Sequence, residues 1–194
     1  MTRKYSSTVS TSEVMDQEDP ENRRQWVEPG NSKKWYANQR VALFVDVQNL
    51  YYSARNLFDS KISYLRLLEG IIQCRQLVRA IAYVVEKPGV EQEGFYEVLR
   101  HAGYEIRAKV LQERSDGTLK GNWDMGIAID ALTLAPSVDC ISLVSGDGGF
   151  LPLVETLRFQ GKRVEVVSFD ESVSDRLVRS AHEFIELDES YLID

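Results

Sequence analysis

From Arg40 onward, apolar runs of strand length alternate with apolar repeats of helical spacing. Val41 to Val47 and Cys140 to Val144 are the most continuously apolar runs, broken only by Asp46 and Ser142. Such runs suit strands buried on both faces of a parallel sheet. Leu77 to Val85 and Val164 to Ser168 read as further strands, Phe184 to Leu187 as a last one, and Tyr104 to Leu111 as a half-buried strand with Arg107 and Lys109 on one face. Between them, Tyr64 to Cys74, Glu91 to Ala102, Asn122 to Ala135, Gly148 to Gln160 and Ser172 to Ala181 read as helices. Gly103 and Gly161 stand where helix stops belong, and Pro136 ends the third helix. The alternation predicts one three-layer α/β domain with a mostly parallel sheet. The strands at 41–47 and 140–144 should be central neighbours. Ligands of such sheets bind beyond the carboxyl ends of the strands, where the winding reverses.

Residues 1 to 38 break this pattern. Ser/Thr clusters, the acidic run from Asp16 to Glu21 and the Glu28-Pro29-Gly30-Asn31 break leave little apolar surface to bury. They read as a flexible tail before a domain spanning 39–194, with Trp26, Trp35 and Tyr36 as its anchoring residues. Among the 194 residues, 43% are hydrophobic, enough for a sizeable core. No run is long and apolar enough to cross a bilayer, and the first ten residues lack the apolar stretch of a secretory signal. A cytoplasmic protein is expected, with Cys74 and Cys140 as small buried thiols rather than a disulfide or a metal pair. The formal charge of −7 argues against a sequence-independent binder of polyphosphate. It leaves room for an enzyme on nucleic acid whose carboxylates hold divalent cations, since bound cations invert the local sign.

Three acids occupy the places where such a site would form. Asp46 closes the first apolar strand, where an uncompensated carboxylate is costly. Asp147 follows the second central strand in a glycine-rich turn before a helix, and Asp124 opens the apolar helix after Lys120. Each alone equally suits a helix cap or a favourable charge at a helix N-terminus. Together, three acids from separate segments predicted at one sheet edge point to divalent cations, which relieve their repulsion. All-oxygen ligation without His or Cys favours Mg²⁺ or Mn²⁺ over zinc. Asp130 lies about 240° round the helix from Asp124 and should not share its metal. Tyr51 and Tyr52 suit either base stacking or the core, whereas Phe150, Leu153, Val154 and Leu157 form a core stripe. His101 and His182 read as structural or exposed.

The segments Phe44-Val45-Asp46-Val47-Gln48-Asn49-Leu50, Lys120-Gly121-Asn122-Trp123-Asp124 and Ser145-Gly146-Asp147-Gly148-Gly149-Phe150 resemble, in order and spacing, the three motifs of NYN domains of the LabA/DUF88 branch. The resemblance covers about residues 40–188. It implies the PIN-like, Rossmannoid fold of metal-dependent ribonucleases and Mg²⁺- or Mn²⁺-dependent cleavage of RNA, most simply single-stranded. By position, Asp46, Asp124 and Asp147 match the family's acidic metal site. Asn49 matches its polar companion, and Lys120 the basic residue before the second acid. The third motif departs from many relatives, which carry a second acid where this chain has Gly149. That departure favours one metal and weak activity, or a catalytically weak RNA-binding or regulatory module. A phosphatase of the haloacid-dehalogenase type would want a second Asp at Gln48. A receiver domain would want one on the strand that carries Arg107 and Lys109. The oligomeric state is open, and a homodimer is compatible with the sequence.

Overall fold

The computed structural model describes residues 37–86, 89, 92–110 and 122–193, and residues 112–113 and 119–120 by their backbone. The tail expected over residues 1–38, with Trp26, Trp35 and Tyr36, lies almost wholly outside them. The order is β1 (Arg40–Asp46), α1 (Val47–Phe58), β2 (Lys61–Ile62), α2 (Tyr64–Ile72), β3 (Gln76–Glu86), α3 (Glu93–His101) and β4 (Glu105–Val110). Then follow β5 (Gln112–Glu113), β6 (Leu119–Lys120), α4 (Asp124–Leu134), β7 (Cys140–Val144), α5 (Leu151–Phe159), β8 (Arg163–Ser168), α6 (Asp175–Ser180), β9 (Glu183–Glu186) and β10 (Leu192–Ile193).

Among the described residues the main sheet has six strands in the order β4-β3-β1-β7-β8-β9. Every pairing in it is parallel. The chain winds outward from β1 through β3 to β4, then returns to β7 and winds outward the other way. β1 and β7 are thus adjacent, with Val45 opposite Val144. The winding reverses between them, which opens a crevice beyond their carboxyl ends. Strand alternation divides the core into two layers. Val41, Leu43 and Val45 pack with residues of α1, α2 and α3, and Ala42 and Phe44 with residues of α4, α5 and α6. The three-layer, mostly parallel α/β fold expected from the sequence is the fold observed.

Two local features differ from expectation, and one left open is decided. The sequence pattern gave no helix over 47–58, yet α1 runs through that whole stretch. Its apolar contribution is thin, because only Val47, Leu50 and Ala54 are buried. Val47, Leu50, Ala54 and the partly buried Phe58 follow helical spacing, and that stripe packs against the sheet. Cys140 is buried as expected, but Cys74 is exposed. The chain leaves α2 through Gln73 at a φ of +51°, and that turn carries Cys74 outward. Tyr51 and Tyr52 are not core residues: they are 46% and 44% exposed. Phe150, Leu153, Val154 and Leu157 are all buried, as the stripe implied.

Candidate active site

Asp46 is the last residue of β1 and the N-cap of α1 at once. Its Oδ1 accepts the Asn49 backbone N–H at 3.1 Å. Its Oδ2 accepts the Ser145 hydroxyl at 3.3 Å. The capping reading is thus observed at the residue that also ends the central strand. Only 9% of Asp46 is exposed, and burial pushes its pKa up to about 6, aided by the nearby charges of Asp124 and Asp147 and opposed by the two hydrogen bonds.

The turn after β7 is fixed to the same corner. Asn49 Oδ1 accepts the Gly146 N–H at 2.9 Å, and Ser145 Oγ accepts the Asp147 N–H at 3.2 Å. Asp147 then caps the following turn, its Oδ1 accepting the Gly149 N–H at 2.8 Å. Gly146 is buried with no room for a side chain, since a Cβ there would stand 2.3 Å from the Ser172 carbonyl oxygen. Gly149 is different. Its φ lies outside the left-handed region, and a Cβ would meet Asp147 Oδ1 at 3.2 Å, a tight contact that a small shift relieves.

Asp124 opens α4. The Asn122 side-chain amide donates to its Oδ2. Burial, then the charge of Asp147, raises its pKa, while Lys109 and Asn122 pull the other way. The approach to α4 is fastened to the sheet: Trp123 Nε1 donates to the Val84 carbonyl at 2.8 Å, and the Lys109 ammonium lies 4.6 Å from the Trp123 ring centre. Lys109 also donates to the Asn122 carbonyl. The sequence did not single out Lys109 for this place; the helix-opening acid 15 positions later gave no sign of which strand would face it. Of Lys120 the structure gives the backbone alone, in β6.

Asp46, Asp124 and Asp147 line one pocket of about 440 Å³, together with Asn49, Asn122, Glu171 and much of α1. The three acids and Asn49 thus line the same pocket. Asp130 is elsewhere, accepting the Tyr83 hydroxyl at 2.8 Å, with Arg107 at 3.7 Å. His101 and His182 stay structural, with ring nitrogens on the Glu97 carbonyl and the Val164 N–H. Glu171, Ser53, Asn56 and Leu57 were not foreseen, because they lie outside the quoted motifs.

The donor set suits a hard divalent cation: carboxylates and amide oxygens, with no His or Cys among the described lining residues. No Lys or Arg is among those lining residues to balance the acids, and Asp46 carries the electrostatic cost. The arrangement is open rather than caged. Among the described residues, no three His, Cys, Asp or Glu side chains stand close enough to enclose a metal as they are.

The NYN domain family model matches residues 40–188, which contain all of these elements from β1 to β9. Over 161 residues, 77% of this chain and 84% of its relative, the chain is 30% identical to low amplitude and bright protein LabA of Synechococcus elongatus. The chain belongs to the NYN domain family. Its place is in the LabA-like branch. An uncharacterized protein of Methanocaldococcus jannaschii is 24% identical over 165 residues, 84% of this chain and 61% of that protein. Among solved structures, a protein of unknown function from Vibrio parahaemolyticus superimposes with a TM-score of 0.76 at 36% identity, covering 81% of this NYN chain and 98% of its own.

Proposed function

We propose that this NYN domain hydrolyses phosphodiester bonds of single-stranded RNA at the Asp46, Asp124 and Asp147 pocket, with Mg²⁺ or Mn²⁺ as cofactor. The observation that carries the reading is the meeting of three carboxylates from three separate segments in one open pocket at the switch point of the sheet. The PIN-like kinship of the family supports an RNA-directed role. When bound, a divalent cation supplies an activated water and neutralises charge on the phosphoryl oxygens. The protein's part is placement. Ser145 and the Asn49 N–H fix the Asp46 carboxylate, the Gly149 N–H fixes one oxygen of Asp147, and Asn122 steadies Asp124. Asn49 locks the β7 turn to α1 through Gly146, so two of the three acids hold a common register. Water adds to phosphorus as the bond to one ester oxygen breaks, and that oxygen leaves with a proton. Asn49 acts here as a positioning residue, and Lys120 is the candidate to meet the phosphate.

Two features support a second reading, a catalytically weak RNA-binding or regulatory module. The acids form no closed cage among the described residues, and Gly149 adds no oxygen where many relatives have an acid. One assay separates the readings: labelled single-stranded RNA with full-length protein, in Mn²⁺, Mg²⁺ or EDTA. Wild type should cleave slowly, better in Mn²⁺ than in Mg²⁺, whose octahedral demand is stricter, and not in EDTA. Asp147→Asn should lose at least about tenfold, as ligand-shell changes do. Gly149→Asp should gain, because the backbone there tolerates a side chain. Brisk cleavage matched by Asp147→Asn would remove the reaction from this pocket. Inert wild type together with inert, folded Gly149→Asp would leave the regulatory reading.

A further inference from the structure

Half the circumference of α1 faces the acidic pocket, and that half carries no charge. Gln48, Asn49, Tyr52, Ser53, Asn56 and Leu57 all line it. The helix's one charged residue, Arg55, is off this face and pairs with Asp59 at 3.0 Å. Gln48, Tyr52 and Asn56 recur every four residues, so they form a single ridge along the wall. Among the described residues, no hydrogen bond occupies the Gln48 and Asn56 amides or the Tyr52 hydroxyl. Tyr52 is 44% exposed, and its ring meets that of Tyr51 edge-on at 5.4 Å between ring centres.

A wall of this kind is ill suited to a phosphate. It offers no cation, and Glu171 and the three aspartates of the same pocket repel anions. It suits a flat, uncharged heterocycle, which an aromatic ring stacks and amides read along the edge. A pocket of about 440 Å³ is within the range that holds a ligand the size of a nucleotide.

We infer that the α1 wall is a nucleobase subsite: one unpaired base stacks on Tyr52, with its edge on the Gln48 and Asn56 amides, and its phosphate reaches toward Asp46, Asp124 and Asp147. The subsite rests on the RNA reading of the same pocket and extends it. Base contact replaces the missing basic patch as the source of grip. A base held in a duplex cannot reach the ring, so paired RNA is excluded.

The test reads stacking directly. Single-stranded RNA carrying 2-aminopurine is titrated with full-length protein in Ca²⁺, which screens the carboxylates. Binding to wild type should change the 2-aminopurine emission as the base stacks. Tyr52→Ala should weaken binding roughly 5- to 100-fold, the range for loss of one base–aromatic stack, and should abolish the emission change. Tyr52→Phe should behave as wild type, because the ring and not the hydroxyl does the stacking. RNA with an abasic site in place of the 2-aminopurine should bind wild type no better than Tyr52→Ala binds the intact strand. Unchanged emission on binding, or equal binding by Tyr52→Ala, overturns the subsite. Cleavage of the same strand in Mn²⁺ is scored separately. If Asp147-dependent cleavage persists while the Tyr52 effects are absent, the subsite alone falls. If no RNA binds and none is cleaved, both readings fall.

Discussion

At Asp46 one carboxylate caps a helix and also faces two other acids, and these roles pull its pKa in opposite directions. Burial wins and holds it at about 6, against about 3.9 in an unfolded chain. A raised carboxyl pKa means the native state binds a proton more tightly than the unfolded chain does. Native stability from this group is therefore full below about pH 4 and is lost as pH rises through 6. The loss is at most about 3 kcal/mol, on the scale of 1.36 kcal/mol per pKa unit. Metal-free Asp46→Asn, which still caps α1, should melt a few degrees above wild type at pH 7 and equal it at pH 4. Millimolar Mg²⁺ or Mn²⁺ should raise the melting temperature of wild type, and the substitution should blunt that rise. Equal metal responses in differential scanning calorimetry would remove Asp46 from the ligand set. At the same scale, Gly146 and Gly149 look alike in sequence and differ in structure. Gly146 is compelled by the approach of the Ser172 carbonyl, whereas Gly149 is under no such constraint.

The strands are tied together at the end opposite the pocket. Glu165 of β8 is 2% exposed and accepts Arg75 at 2.7 Å, the Ser142 hydroxyl of β7 at 2.6 Å and Arg163 at 3.2 Å. Burial pushes the Glu165 carboxyl up, but these partners outweigh it and hold its pKa below the ordinary value. Its stabilisation is present above the unfolded pKa, about 4.3, and is lost as pH falls below it. Removing Glu165 takes from the buried Arg75 guanidinium its only carboxylate among the described residues, which costs about 3–5 kcal/mol. Removing Arg75 leaves Glu165 with Arg163 and the Ser142 hydroxyl and costs less. Glu165→Leu should lower the urea midpoint more than Arg75→Met, and the double substitution should lose less than the sum of the two, because the Arg75 charge then no longer lacks its carboxylate. Additive losses in urea titration would show that the pair does not act as a unit. Nearby, Arg40 and Asp139 bind across the starts of β1 and β7 at 2.7 Å. An exposed pair of that kind contributes little.

For the molecule as a whole, the family match and the first strand both begin at residue 40. Deleting residues 1–30 should accordingly leave the melting temperature nearly unchanged, as their few scattered apolar residues imply. A large drop in thermal melts would place Trp26 in the core. The layered fold was readable because buried parallel strands must be apolar on both faces, and β1 and β7 are. The acids were readable for the same reason: Asp46 is out of place in such a strand unless something at its end requires it. Helix α1 was missed although Val47, Leu50, Ala54 and Phe58 follow helical spacing, because it starts directly after Asp46 with no turn residue to separate it from the apolar run of β1. Cys74 was misread because a single turn at Gln73 decides its exposure. By itself, then, the sequence determined the alternation of elements, the central strands and the three acids, all properties that local residue chemistry enforces. Tertiary structure alone decided that Asn49 would clamp the Gly146 turn, that Lys109 would fasten the approach to Asp124, and that the uncharged face of α1 would form the pocket wall. Those contacts join residues from 13 to 97 positions apart, and only the tertiary fold brings them together.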